Sequence, residues 1–269
     1  MSTDPRVSDN SPGSPPGATE ASEEDYHHAR ERIASVEHWY HQVEVLPGLL
    51  TPGVNDSARA LSALPLPADL TGQRVLDIGA RDGFFSFECE RRGADVLAVD
   101  YMPADQTGFQ VCRDLLSSEV SFQQDNVYNL SPERYGEFDL VLFLGVLYHL
   151  RDPMLALDRI WDVCRGRVIV ETQLIDNAFQ GTDGEFRTLA SISPELEDAA
   201  VMQFYPGRSL NEDPTCVWAP NSACLRAMLT SAGFEVDYER TVGHRGVAGG
   251  VKVADGEELY WRRQDRSVV

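Results

Sequence analysis

Between residues 70 and 175 the hydrophobic positions alternate between short continuous runs and amphipathic stretches. The runs Arg74–Ile78 (RVLDI), Asp95–Val99 (DVLAV), Phe138–Leu144 (FDLVLFL) and Arg167–Glu171 (RVIVE) are aliphatic on both alternating faces, which predicts strands buried from both sides. Ser121–Gln123 is a weaker candidate between the second and the last two. Phe84–Arg92, Gly108–Leu116 and Pro153–Cys164 space their apolar residues for helices, the last with Met154, Leu157, Ile160 and Trp161 turned inward. Strands alternating with covering helices predict a doubly wound α/β domain built on a parallel sheet.

Outside this region the pattern changes. From Tyr26 to Val45, Ile33, Val36, Trp39 or Tyr40, and Val43 recur at helical spacing, and Leu46-Pro47-Gly48 ends the run. Residues 49–70 read as a loop with a short helix over Ala58–Ala63. The rhythm breaks again over residues 176–220, which are irregular and carry Phe179, Phe186, Phe204, Tyr205 and Trp218. A helix over Asn221–Ala232, closed by Gly233, then leads to a strand at Phe234–Tyr238. That strand is expected to pair antiparallel with Val251–Val253 or Glu258–Trp261. The chain thus divides into residues 1–25, an N-terminal helical lid over 26–69, and a main domain over 70–269 that holds the 176–220 insertion.

Residues 1–25 are Ser, Pro, Gly and acids with almost no aliphatic side chain, so they cannot repay the entropy of ordering and read as a flexible tail. Their six acids against one arginine leave −15 of the formal −20 on the remaining residues. With Lys252 as the only lysine, a nucleic-acid partner, bound through clustered cations, is disfavoured. The 42% hydrophobic content suffices for a sizeable core. Five cysteines without ligand spacing indicate neither a disulfide framework nor a zinc site, and Asp176-Asn177 alone makes no metal centre. No apolar run is long enough to span a bilayer and no signal-peptide order opens the chain, so a cytoplasmic protein is expected.

The chemistry concentrates where strands end. After Asp77-Ile78 comes Gly79-Ala80-Arg81-Asp82-Gly83, a turn in which glycines let the backbone approach a ligand before a helix starts. A dinucleotide fold would want Gly-x-Gly-x-x-Gly there, and a carboxylate at Asp77 would repel a pyrophosphate while attracting an ammonium group. The pattern favours a sulfonium nucleoside with an amino-acid tail. Asp100 ends the second strand, where an acid accepts both ribose hydroxyls, and Tyr101 and Met102 follow, placed to lie against a base. Asn126 and Val127, after the third strand, are placed to read an adenine edge.

These residues resemble the class I S-adenosylmethionine-dependent methyltransferases over roughly residues 70–175, which implies a Rossmann-like sheet. The resemblance maps the glycine-rich motif onto Asp77, Gly79, Ala80 and Gly83, the ribose acid onto Asp100, and the adenine contacts onto Tyr101, Asn126 and Val127. Phe138 to His149, with Leu144 at the strand end, stands for the fourth-strand motif, and Arg81 replaces a middle glycine. Leu144-Gly145-Val146-Leu147-Tyr148-His149, Arg151-Asp152-Pro153 and Val170-Glu171-Thr172 look most like the tRNA wobble-uridine carboxymethyltransferase-like subfamily. Its carboxymethylating members use a carboxylated cofactor read by basic residues and by the tyrosine matching Tyr148. The absence of any lysine before Lys252 favours ordinary S-adenosyl-L-methionine instead.

Several side chains keep two readings. His149, past the fourth strand, is either a general base or a loop residue that shapes the pocket. Tyr148 is a candidate pocket residue, and Glu171 either orients His149 or a substrate group or makes a structural bond. Phe204, Tyr205 and Trp218 are candidate acceptor contacts, with His244 and Arg245 weaker ones. Trp39, Tyr40 and His41 either close over the cofactor or pack. The expected function is transfer of a methyl group to oxygen or nitrogen of a small molecule, of natural-product or sugar type. The alternatives are a tRNA-modifying (carboxy)methyltransferase and a protein that holds S-adenosylmethionine without methyl transfer.

Overall fold

The structure, a computed structural model, describes residues 21–210 and 212–253. Its centre is a sheet of strands β1 (Arg74–Ile78), β2 (Asp95–Asp100), β3 (Ser121–Gln124), β4 (Phe138–Leu144), β5 (Cys164–Gln173), β6 (Phe234–Val242) and β7 (Arg245–Lys252). Their order is β6-β7-β5-β4-β1-β2-β3. β1 to β5 run parallel, and β7 is antiparallel to both β5 and β6. From β1 the chain moves outward to β2 and β3, then returns to β4 on the other side of β1. The crevice beyond the carboxyl ends of β1 and β4 is therefore the switch point at which open α/β sheets bind ligands.

The two-residue period of the strands sorts the core into two layers. On β4, Val141 and Phe143 face Ala156, Leu157 and Ile160 of helix Pro153–Val163 and Leu225 and Leu229 of helix Ser222–Ala232. Leu140 and Leu142 face the opposite layer, which holds Phe85 and Phe87 of helix Phe84–Arg91, Phe109, and the N-terminal residues Ile33, Trp39, Val43 and Val45. The predicted doubly wound architecture is thus the observed one, with β1 to β6 each found within a few residues of its sequence pattern.

The N-terminal segment departs from expectation. Its helix runs Glu23–Ala34, opened by a capping box in which the Ser22 side chain and Asp25 satisfy each other's backbone, and it stops nine residues before Val43. The helical spacing of Ile33, Val36, Trp39 or Tyr40, and Val43 predicts one helix, but only Ile33 is buried from a helix, and beyond Ala34 an extended strap buries Trp39 and Val43 all the same. What decides against helix is that the backbone N–H groups of Tyr40 and His41 donate to Asp82, at 2.7 and 2.8 Å, instead of to carbonyls one turn back. A short hairpin, Glu44–Leu46 with Leu49–Leu50, follows. The helix also takes in Glu23–Asp25, which the sequence assigned to the tail; residues 1–20 lie outside the described residues, as does the alternative strand Glu258–Trp261.

β6 pairs with β7 through Phe234↔Lys252 to Val242↔Arg245, so the late hairpin starts earlier than Val251. The insertion folds as two ribbons, Phe179–Gln180 with Phe186–Arg187 and Met202–Phe204 with Trp218–Pro220, and two single-turn helices. Ile175, Leu189, Tyr205, Leu210, Cys216 and Ala219 give it a small core of its own, shared with Tyr148. No helix among the described residues is long and apolar enough to cross a membrane.

Candidate active site

The loop after β1 is held in a conformation that few side chains tolerate. Gly79 has φ +78°, and a Cβ there would stand 2.3 Å from Cγ2 of Val146 in the turn after β4. Arg81 sits at φ 53°, in the left-handed region that glycine adopts without strain and other residues seldom do. Its backbone N–H donates to Oδ2 of Asp100 at 2.9 Å, and its Nη1 lies 2.8 Å from Sδ of Met102. Oδ1 of Asp100 accepts from the Met102 backbone at 2.9 Å, so each oxygen keeps acceptor capacity for a ligand hydroxyl. Burial holds the Asp100 carboxyl above its ordinary range, against the pull of these backbone donors. Beyond it Tyr101 is exposed, Met102 half-buried, Asn126 exposed and Val127 buried. The Asn126 side chain accepts from the Tyr128 backbone at 3.1 Å.

Asp77 lies behind this loop, its Oδ2 accepting from Ser86 Oγ at 2.6 Å. Only 2% exposed, it acts on a ligand through its charge and through the helix it ties down. Burial raises its pKa to about 6, with Ser86 pulling down and the charge of Asp100 pushing up. The ordinary value is 3.8, so between about pH 4 and 6 the native state binds more protons than the unfolded chain, and stability falls as pH rises through that window. Asp77→Asn is therefore expected to be more stable than the parent at pH 7.5, by on the order of 2–3 kcal/mol. Urea titrations at pH 4 and 7.5 check this: the gain should vanish at pH 4, and an equal gain at both would contradict the assignment.

Asp82 was not singled out from the sequence. Fully buried, it accepts from Tyr40 and His41 through Oδ2 and from the Gly108 backbone through Oδ1 at 2.8 Å. It joins the strap, the loop after β1 and the start of helix Phe109–Leu115. Trp39 is packed against Gly108, where a Cβ would meet its ring at 2.1 Å, and its Nε1 donates to the Ile33 carbonyl. Burial pushes the His41 imidazole well below its ordinary range in spite of Asp82. Tyr40 stays 38% exposed.

At the carboxyl ends of β4 and β5, Leu144 is half-buried and the Gly145 N–H donates to the Glu171 carbonyl at 2.9 Å. Glu171 binds Arg245 of β7 in a two-pronged ion pair at 2.5 and 2.6 Å. The Arg245 guanidinium lies 4.9 Å from the Tyr148 ring centroid. Burial alone would lower Arg245, yet the Glu171 carboxylate holds it above its ordinary range. Burial also pushes the Tyr148 phenol up, Arg245 opposing and the nearby Tyr40 and Glu171 adding to the rise. The His149 ring lies against Tyr148, tilted by 39° with centroids 4.1 Å apart, and its Nδ1 is 2.9 Å from Thr215 Oγ1. Its pKa is lowered chiefly by burial, which keeps the imidazole neutral and able to accept a proton near pH 7.

The insertion meets this edge directly. The Val217 N–H donates to the Tyr148 carbonyl at 2.8 Å, next to the ribbon in which Phe204 and Trp218 face each other at 4.8 Å. Phe204 is 53% exposed, whereas Tyr205 is buried, its hydroxyl on Gln203 at 2.8 Å, supporting the ribbon from beneath. The structure thus gathers Asp77, Gly79, Ala80, Gly83, Asp100, Leu144, Tyr148, His149 and Glu171 at one sheet edge. His244 is engaged through its carbonyl, with Leu174.

A family model described as a methyltransferase domain matches residues 54–239. Among curated relatives, magnesium-protoporphyrin O-methyltransferase of Rhodobacter capsulatus is 38% identical over 102 residues, 36% of this chain and 43% of that protein. The tRNA U34 carboxymethyltransferase of Campylobacter hominis is 37% identical over 113 residues, 40% of this chain and 39% of that protein. The chain spans about two fifths of the length of these relatives. The solved N-terminal domain of EvdMO1, in the presence of SAH and D-fucose, shares the fold at a TM-score of 0.56 and 22% identity, covering 86% of this chain and 97% of that one. By the family match the chain belongs to the methyltransferase domain family, enzymes that take their methyl group from S-adenosylmethionine.

Proposed function

We propose that this enzyme methylates an oxygen or nitrogen of a small molecule of natural-product or sugar type. Asp100 binds the ribose hydroxyls, Tyr101, Met102, Asn126, Val127 and Leu144 surround the base, and Asp77 with the Gly79–Gly83 loop receives the amino-acid end. S-adenosylmethionine brings a methyl group already activated on a sulfonium, which leaves alignment, exclusion of water and proton removal to the protein. His149 is the base; Tyr148, Glu171, Phe204 and Trp218 meet the acceptor; the strap through Trp39–His41 covers the cofactor side.

The observation that carries this reading is the half-exposed Phe204–Trp218 ring pair beside the His149 turn. An aromatic rim on a body of charge −15 suits an uncharged or cationic small molecule with an apolar or sugar face, not a polyphosphate. The relatives named above include an enzyme for a porphyrin, and the EvdMO1 domain was solved with a deoxysugar.

A second reading has its own observation: Arg245 is a cation beside the ring of Tyr148, the residue that the resemblance matches to the tRNA-modifying subfamily's cofactor-reading tyrosine. Its charge is already met by Glu171, which favours the first reading. Incubating the full chain with methyl-labelled S-adenosylmethionine and either a metabolite extract or bulk tRNA separates them. A labelled small molecule heavier by one CH2 is expected. Label entering tRNA, or a carboxymethylated product with the carboxylated cofactor, would replace the first reading with the second.

A further inference from the structure

We infer that Thr215 and Asp213, both from the insertion, hold His149 as the tautomer protonated at Nδ1, leaving the lone pair on Nε2 for the acceptor proton. The inference rests on the reading of His149 as the base and names two positioning residues that the sequence pattern does not show.

Donor counting leads to it. Thr215 Oγ1 is 2.6 Å from Asp213 Oδ1 and 2.9 Å from His149 Nδ1. A carboxylate only accepts, so the single hydroxyl proton of Thr215 goes to Asp213, and the hydrogen shared with His149 must belong to Nδ1. The Thr215 backbone N–H also donates to Asp213 Oδ1, at 2.8 Å. Burial alone would raise Asp213, but these Thr215 donors outweigh it and hold the carboxyl below its ordinary range. The other charged or titratable groups facing the ring are Arg245, Tyr148 and Cys216, whose thiol burial pushes up to about 11.

The arrangement suits proton handling. As the acceptor oxygen or nitrogen forms its bond to the methyl carbon, the carbon–sulfur bond breaks with its electron pair left on the sulfur of S-adenosylhomocysteine, and the acceptor's bond to hydrogen breaks as the proton passes to Nε2. The positive charge lost from the sulfonium reappears on the imidazolium, where Asp213 opposes it through Thr215, and the proton then leaves to solvent. The Val217–Tyr148 backbone bond pins this turn beside the base, so the segment that surrounds the acceptor also sets the base's protonation.

The test needs no acceptor. Long-range proton–nitrogen spectra of the full chain labelled with 15N-histidine, with S-adenosylhomocysteine added, report each imidazole's tautomer, and His149→Gln identifies the relevant signals. The neutral Nδ1–H form should predominate by on the order of five- to tenfold, the weight of one hydrogen bond. Thr215→Val should reduce that preference to near parity, Thr215→Ser should keep it, and Asp213→Asn should lower the imidazole pKa. An Nε2–H tautomer in the parent, or an unchanged ratio in Thr215→Val, overturns the relay and leaves the base reading standing. Unchanged product formation by His149→Gln overturns the base reading even where the tautomer is as expected. Ligand atoms of His149, Asp213 and Cys216 lie within 4.8 Å of one another, so equimolar zinc is a further arm. If zinc displaces the Nδ1–H signal, the group is a metal site and the relay is wrong.

Discussion

Asp82→Ala is expected to destabilise the fold by on the order of 3–5 kcal/mol, more than any other single loss of a side chain around the cofactor loop. The side chain is small, and the cost comes from what it leaves behind. Three backbone N–H groups, of Tyr40, His41 and Gly108, lose their acceptor in a place that water does not reach. Each unsatisfied donor costs about 1–3 kcal/mol, and the strap recovers part of this by swinging into solvent. Asp82→Asn should fall between, because its one remaining oxygen can serve the strap or Gly108 but not both. Urea unfolding measures the stability, and calorimetry with S-adenosylhomocysteine should show weakened binding in both variants, since the loop residues flanking Asp82 change with it. An Asp82→Ala protein within 1 kcal/mol of the parent, in the sense of a typical surface change, would mean that the strap holds by its apolar contacts alone.

Gly83→Ala should be nearly as damaging, for a different reason. Gly83 stands at φ +88° at the start of helix Phe84–Arg91, and an added Cβ would lie 2.5 Å from Phe87 and 2.8 Å from Phe109. Both rings are buried and packed on each other at 5.2 Å, so neither can retreat cheaply. Overpacking of this kind costs about 1–3 kcal/mol and the left-handed backbone about 1–2 more. A loss of roughly 3 kcal/mol in urea titration, with cofactor binding reduced about a hundredfold or more, is the expected result. Adding Phe87→Leu to Gly83→Ala should return the steric part of the stability and little of the binding. Full recovery of both would show that the backbone angle is not what matters.

The sheet was legible because strands buried on both faces need uninterrupted aliphatic runs, and RVLDI, DVLAV, FDLVLFL and RVIVE leave no other way to satisfy them. The loop after β1 and Asp100 were legible for a local reason: glycine spacing and a strand-ending acid lie within one βαβ unit. The strap misled because hydrophobic spacing reports which residues are buried and not how the backbone between them is bonded. The acceptor that pulls Tyr40 and His41 out of a helix is about forty residues away in the chain. The same distance hides the Glu171–Arg245 pair, 74 residues apart, and the Thr215–His149 contact, 66 apart, neither of which leaves a pattern in one sequence. Tyr205 shows the converse: an aromatic in the right segment, placed by the fold beneath the rim and not on it.

Arg81 links two segments that are usually treated as separate signatures. Its left-handed backbone is sustained by the N–H that it gives to Asp100, a residue placed at the end of the next strand. The donor is the backbone, so a glycine at this position would keep the bond to Asp100 and lose only the contact of the guanidinium with Sδ of Met102. Arginine thus adds a wall to the nucleoside pocket at the cost of a strained φ, and what it contributes there is the side of the pocket rather than the shape of the loop.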